Sequence, residues 1–261
     1  MYKPYTIFSP NFETTSGGTR VMYGLYGHLL AKGQIAFLNS KFNHSDCIAV
    51  YPEIQQGNPA EAFTVVRYIL NKPGVVEALY DDGTIAKGPT KFNDDDTLYY
   101  FSRLYGDTDE KHYMFLPILN MHLFKDQKKN RNKTCWILGK GIHYIDKSQY
   151  IHPNDAIPID RQFAQDQQAL ADLLNESEVM YCYDPNTAMT EIARLCGTRI
   201  VQIPSLYSKE EFSKYEPTLM GFSWGKDEGV KLNVDDFTVH YAGMVKTFSE
   251  RLNEFIAETQ T

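Results

Sequence analysis

No stretch of this chain approaches the roughly 18 apolar residues that a membrane-spanning helix needs, so no membrane span is expected. Its start, "MYKPYTIFSPNF", lacks a basic region followed by an apolar stretch and a small-residue cleavage site. That reads against a secretory signal and makes the cytoplasm the expected location. The four cysteines, Cys47, Cys135, Cys182 and Cys196, stand singly inside apolar segments, with no C-x-x-C pair and no histidine at zinc-finger spacing. They read as buried thiols rather than metal ligands. None of the seven histidines sits four residues from another, so no helical metal pair is expected. The G-x-G-x-x-G fingerprint and its downstream ribose-binding acid are missing, which disfavours a dinucleotide oxidoreductase. A net charge of −7 and a pI near 5.5 argue against a phosphate-backbone binder, while leaving room for a local basic cleft. No period of 20 to 50 residues recurs, which excludes a solenoid.

What is present is ordinary globular composition, 43% hydrophobic and 23% charged, over 261 residues, a length that suits two domains. The 18 tyrosines fit either a core or a sugar-facing or base-facing surface. "YTIFSP" reads as a strand, "NFETTSGGT" as a loop, and "RVMYGLYGHLLAKG" as a helix with Val21, Leu25, Leu29 and Leu30 on one side and Gly33 as its stop. "QIAFLNS" and "DCIAVYP" read as buried parallel strands. "GNPAEAFTVVRYILNKPG" predicts a helix capped by Asn58 with Pro59 in its first turn. "DTLYYFSR" and "HYMFLPIL" read as strands, and the charged Lys125–Lys133 stretch as a linker. The second half restarts with "TCWILGKG" as a strand, "RQFAQDQQALADLLNES" as a helix and "EVMYCY" as a strand. It closes on an amphipathic helix with Val239, Ala242, Val245, Phe248, Leu252 and Ile256 on its stripe. The expected class is α/β, two Rossmann-like doubly wound domains over residues 1–130 and 131–261 facing across a cleft.

The stretch "YDPNTAMTEIARLCGTRIV", Tyr183 to Val201, reads as strand end, abrupt turn, short helix, glycine stop and new strand. Asp184 is expected to cap the helix with Pro185 in its first position, leaving the Asn186 and Thr187 amides aimed outward from a strand's carboxyl end, where anions bind. The Asp184 carboxylate itself is the alternative partner for those amides. Glu191, two turns on, would share a helix face with Asp184 and suits the vicinal hydroxyls of a ribose; a surface glutamate on a capped helix is the plainer reading. "ILGKG" sets Lys140 between glycines after the first strand of the second half, where its ammonium can approach a ligand. In "SGGTR", Gly17 and Gly18 let backbone amides near a ligand, with Thr19 beside them, or simply make a tight turn. In "YPEIQQGNP", Glu53 and Asn58 follow a strand's carboxyl end. "NDDDT" holds Asp94 and Asp96 in a D-x-D pattern that either carries Mn²⁺ or Mg²⁺ or forms a turn. His122 and His143 fall near the expected cleft without a catalytic assignment.

The Tyr183–Val201 segment resembles the donor-site motif of the GT-B glycosyltransferases, particularly the retaining type, in which two glutamates seven residues apart open and line a helix ending in glycine and a Val-rich strand. Glu191 matches the second glutamate, Tyr183 stands at the first, and the turn between them is a Tyr-Asp-Pro-x-Thr version. The resemblance implies a nucleoside diphosphate sugar as co-substrate with no further cofactor and no metal, and an unidentified acceptor: a glycan, a lipid-linked sugar, a protein or a modified nucleobase. It implies that Glu191 contacts the ribose, that Lys140 neutralises the leaving diphosphate with Lys147 as a second basic residue, and that Gly17, Gly18 and Thr19 border donor and acceptor. Glu53 and Asn58 would face the acceptor. Tyr183, Asp184, Asn186 and Thr187 would line the donor, and retention of anomeric configuration is favoured. Two alternatives stay open. The chain, shorter than a usual GT-B enzyme, is also compatible with a non-catalytic nucleotide-sugar binding module, and Asp94 with Asp96 is compatible with a metal-dependent GT-A transferase.

Overall fold

The computed structural model describes residues 3–40, 46–76, 78–79, 85–86, 90–106, 109–215 and 219–261. Its contacts divide the chain into two compact units, one running through Ile118 and taking back Met244–Thr261, the other Leu119–Gly243. The expected boundary after residue 130 lies after Ile118 instead, and the last eighteen residues, expected in the second domain, join the first unit.

In the first unit β1 (Tyr5–Ile7) leads into α1 (Gly17–Ala31), followed by β2 (Ala36–Leu38), β3 (Ile48–Pro52) and β4 (Thr64–Ile69). A two-stranded antiparallel ribbon, β5 (Ala78–Leu79) and β6 (Ile85–Ala86), precedes β7 (Thr97–Tyr100). The main sheet is wholly parallel with order β2-β1-β3-β4-β7. Tyr5, Ile7, Val50, Val66 and Tyr68 pack with Val21, Met22, Leu25 and Leu29 of α1 in one core cluster. Leu30, expected on that stripe, is exposed.

The predicted helix over 57–74 is a correction: its second half is β4, paired in register with β3 from Ile48↔Thr64 to Pro52↔Tyr68. Val65, Val66, Tyr68 and Ile69 are buried, and a continuous apolar run satisfies helical spacing and a doubly covered strand equally well. Glu61, in the left-handed region at φ 51°, breaks any helix begun at Pro59. "HYMFLPIL" makes only a single bridge, Tyr100↔Tyr113, before Pro117 removes a ladder donor.

The second unit contains β8 (Lys133–Ile137), β9 (Ile157–Pro158), α2 (Arg161–Gln165), α3 (Gln167–Glu176), β10 (Ser177–Cys182), α4 (Met189–Leu195), β11 (Arg199–Gln202), α5 (Lys209–Tyr215) and β12 (Phe222–Trp224). All its strands are parallel, in the order β12-β11-β10-β8-β9. Numbered within each five-stranded sheet, both read 2-1-3-4-5, a doubly wound, Rossmann-like order. Asp160 and Asp166 each cap a helix, splitting the expected single helix into α2 and α3. The charged Lys125–Lys133 stretch is bound to this unit rather than free. Arg131 donates to the carbonyls of Leu174 and Cys196, at the ends of α3 and α4, and pairs with Asp126.

The final helix, α6 (Val234–Thr259), begins in the second unit and ends in the first. Its buried residues are Phe237, Tyr241, Phe248, Leu252, Phe255 and Thr259, whereas Val239 is 72% exposed and Val245 is also exposed. The expected stripe therefore holds from Phe248 onward; before it, the larger aromatics Phe237 and Tyr241 take the buried side. All four cysteines are buried. Among the described residues, no helix is long and apolar enough to cross a membrane.

Candidate functional site

In an open parallel sheet the ligand crevice lies beyond the strand carboxyl ends where the winding reverses. In the second unit that point falls between β8 and β10. The turns leaving these strands carry Lys140 and the Asp184–Thr187 segment, and the fold brings them together. Lys140 Nζ donates to the Asn186 carbonyl at 2.8 Å and lies 3.1 Å from Asp184 Oδ1, while the Lys140 backbone N–H donates to Asp184 Oδ2 at 2.8 Å. The glycines flanking Lys140 have a reason inside the chain. Gly139 is left-handed at φ 51° and a Cβ there would fall inside the Asp184 carboxylate; a Cβ on Gly141 would strike the Tyr183 carbonyl.

Several expectations for this turn are corrected. The helix starts at Met189, not at Pro185, and Ala188 before it offers no side-chain cap. Asp184 instead makes a local turn, its Oδ1 accepting the Asn186 N–H at 3.0 Å, so that amide is not directed outward. Asp184 is 3% exposed, and its carbonyl accepts from Gln202 Nε2 at 2.9 Å. The seven-residue spacing to Glu191 is consequently not a helix face, because Asp184 lies outside α4. Thr187 Oγ1 accepts the Met189 N–H at 3.3 Å, and the Thr187 carbonyl accepts from Thr190, so Thr187 sets the first turn. Glu191 is half-buried in that turn, with Thr190 Oγ1 3.4 Å from its carboxylate. Tyr183 is fully buried; its hydroxyl accepts backbone N–H groups of Ile151 and His152, which takes it out of reach of a donor. Burial raises its pKa. Lys147 and His143 are exposed on the following turns.

In the first unit the winding reverses between β1 and β3. A cavity of about 80 Å³ opens there, lined by Phe8, Ser9, Pro10, Asn39, Pro52, Ile54 and Gln55. Pro52, Ile54 and Gln55 belong to the "YPEIQQGNP" stretch already singled out, whereas Phe8–Pro10 and Asn39 carry no expectation, although "FSP" and "LNS" close the first two strands and the carboxyl-end rule points to them. Gly17 and Gly18 form the first turn of α1 behind the Ser16 cap. Neither has a positive φ; a Cβ on Gly17 would meet nothing within 4 Å, and one on Gly18 only Leu70 Cδ1 at 3.8 Å. Thr19 is internal, its hydroxyl bonded to the Glu13 and Ser16 carbonyls. Glu53 is buried and accepts the Leu70 N–H at 2.9 Å. Asn58 is not a helix cap: it closes its loop by accepting from Tyr51 Oη and the Ala62 N–H while donating to the Ala62 carbonyl.

Asp96 is paired with Arg67 at 2.7 Å, with side-chain exposures of 1% and 0%, and Asp94 is exposed. His122 is exposed as well. Among the described residues no group of three or more His, Cys, Asp or Glu side chains is placed to hold a metal ion. No known protein family matches the chain, and no curated protein shows a similar sequence.

Proposed function

We propose that this chain is a GT-B-like glycosyltransferase that moves a sugar from a nucleoside diphosphate sugar to an acceptor hydroxyl, with retention and without a metal. The observation that carries the reading is the meeting of Lys140 with the Asp184–Asn186 turn at the reversal point of the second sheet, where a doubly wound unit receives nucleotide ligands. Leaving-group departure is the costly step of such a transfer, and an ammonium fixed beside the diphosphate stabilises the charge that develops on it. Lys140 has that role, with Thr187 and the Asn186 side chain beside it and Glu191 on the ribose. Asp184 acts through Lys140 by holding its backbone and its ammonium together.

Gly17 and Gly18 support an acceptor site in the first unit. Alanine at a position whose φ it can adopt is favoured over glycine by about 0.4–1 kcal/mol, and neither residue is required by its own φ or by a close neighbour. A ligand that needs bare backbone at that turn accounts for both.

A thermal-shift panel of nucleoside diphosphate sugars, each with EDTA or with Mn²⁺, tests the proposal, since stabilisation follows ligand concentration over dissociation constant. Stabilisation in EDTA that weakens about tenfold or more in affinity in Lys140→Ala and Glu191→Ala supports it. No stabilisation by any nucleotide sugar would sink it, and shifts seen only with Mn²⁺ and lost in Asp94→Ala would install the metal-dependent reading. Binding without transfer to any acceptor would leave the non-catalytic module.

A further inference from the structure

The segment that follows the Lys140 turn is fastened to the end of β10 through one phenol. The Tyr183 hydroxyl oxygen accepts the backbone N–H of Ile151 at 2.9 Å and of His152 at 3.3 Å, and it lies 2.8 Å from His152 Nδ1. A phenol offers two lone pairs and one proton. With both lone pairs facing amide donors, the phenol O–H donates to imidazole Nδ1, which fixes His152 as neutral with its own proton on Nε2. The imidazole stacks on Trp136 of β8, ring centroids 4.3 Å apart and planes 12° from parallel. It is also faced by Tyr150 from its own segment at 5.4 Å, by Tyr181 of β10 at 6.4 Å and by Tyr183 at 5.5 Å. Burial raises the phenols of Tyr181 and Tyr183 above their ordinary value, so neither of these two carries charge near neutrality. Burial also holds the imidazole below its usual pKa.

We propose that His152 and Tyr183 form a proton-operated latch on residues 150–152. Neutral His152 accepts a hydrogen bond from the phenol O–H at Nδ1 and pins the segment to the end of β10. Protonated His152 brings an N–H against that O–H, two donors with nothing to accept, and the segment is released. The latch stands on its own geometry and does not depend on the glycosyl-transfer reading.

The chain has two tryptophans, so Trp224→Phe leaves Trp136 as the sole reporter. Protonation and release of the segment change what packs on the Trp136 indole face, so its emission reports the step. Between pH 7.5 and 5 the emission of Trp224→Phe is expected to change with a midpoint below about 6.5 while far-UV circular dichroism stays constant. His152→Gln is expected to abolish the titration. Across the same midpoint, and after correction for intrinsic pH dependence, exchange of the Ile151 amide hydrogen is expected to rise about three- to tenfold, the worth of one ordinary hydrogen bond. Tyr183→Phe should show that faster exchange already at pH 7.5. Flat emission, a midpoint at or above about 6.5, a titration that survives His152→Gln, or Ile151 exchange indifferent to pH would each overturn the latch. If Tyr183→Phe fails to fold, nitrogen NMR of the wild-type ring decides: a proton on Nε2 supports the latch and one on Nδ1 refutes it.

Discussion

Replacing Asp96 separates two roles for the Asp94–Asp96 turn, an internal brace and a metal ligand. The Arg67 guanidinium is fully buried and donates Nε to Asp96 at 2.7 Å, Nη1 to the Gln55 carbonyl at 2.9 Å and Nη2 to the Gly57 carbonyl at 2.6 Å. It also lies over the Tyr51 ring at 4.9 Å and the Phe92 ring at 5.5 Å. Removing one partner of a buried ion pair costs about 3–5 kcal/mol, because the other charge is left uncompensated. Arg67 would keep two carbonyls and two ring faces, which places Asp96→Ala at the lower end, about 3 kcal/mol, a large part of the 5–15 kcal/mol typical of a whole domain. Asp94→Ala, on an exposed side chain, should stay within about 0.5 kcal/mol. Urea unfolding followed by far-UV circular dichroism measures both. A double-mutant cycle with Arg67→Met should return a coupling near the upper end of the usual range, about 3 kcal/mol. Equal effects of Asp94→Ala and Asp96→Ala, or an Asp96→Ala protein of unchanged stability that loses a Mn²⁺-dependent activity, would refute the brace.

The glycines make opposite forecasts. Gly139→Ala should cost about 3 kcal/mol or more in thermal unfolding, since it combines a left-handed φ with a clash against Asp184. Gly17→Ala should stabilise the fold by about 0.5–1 kcal/mol while slowing any sugar transfer. Partial burial opposes ionisation of Glu258, yet hydrogen bonds from Lys111, Tyr99 and His112 together hold its carboxyl at about 2. Its pairing therefore contributes fully above the ordinary glutamate range and fades as pH falls from about 4.5 toward about 2. In Glu258→Gln the stability measured at pH 7 should drop by about 1–2 kcal/mol, discounted for solvent screening, and its fall below pH 4.5 should flatten. Burial pushes the Cys135 and Cys196 thiols up to about 12, so a thiol-reactive dye should leave both unlabelled until urea unfolds the chain.

Elements whose signals were local were legible. α1 has the expected apolar side and glycine stop, although it begins at Gly17 behind Ser16 in what reads as a loop, and the strand, turn, helix and strand of Tyr183–Val201 appear in that order. β4 was not, because only its neighbours tell a doubly covered strand from a helix. The Lys125–Lys133 stretch looked like a tether because Arg131 gives no sign in one dimension of the helix ends it caps. The meeting of Lys140 with the Asp184–Asn186 turn was within reach, since both follow strand ends that a doubly wound order brings side by side. The capture of the Asn186 amide by Asp184, and the internal uses of Tyr183, Thr19, Glu53 and Asn58, depend on distances that spacing along a chain does not encode.

The outermost strand β9 is two residues long and ends on Pro158, which has no N–H to donate, and the opposite border, β12, is only three residues. A ribbon that short and missing a donor gives another chain little to zip onto, so the second sheet resists edge-to-edge polymerisation at high concentration. A Pro158→Val protein would restore that donor and should form aggregates rich in intermolecular β-structure sooner than its parent.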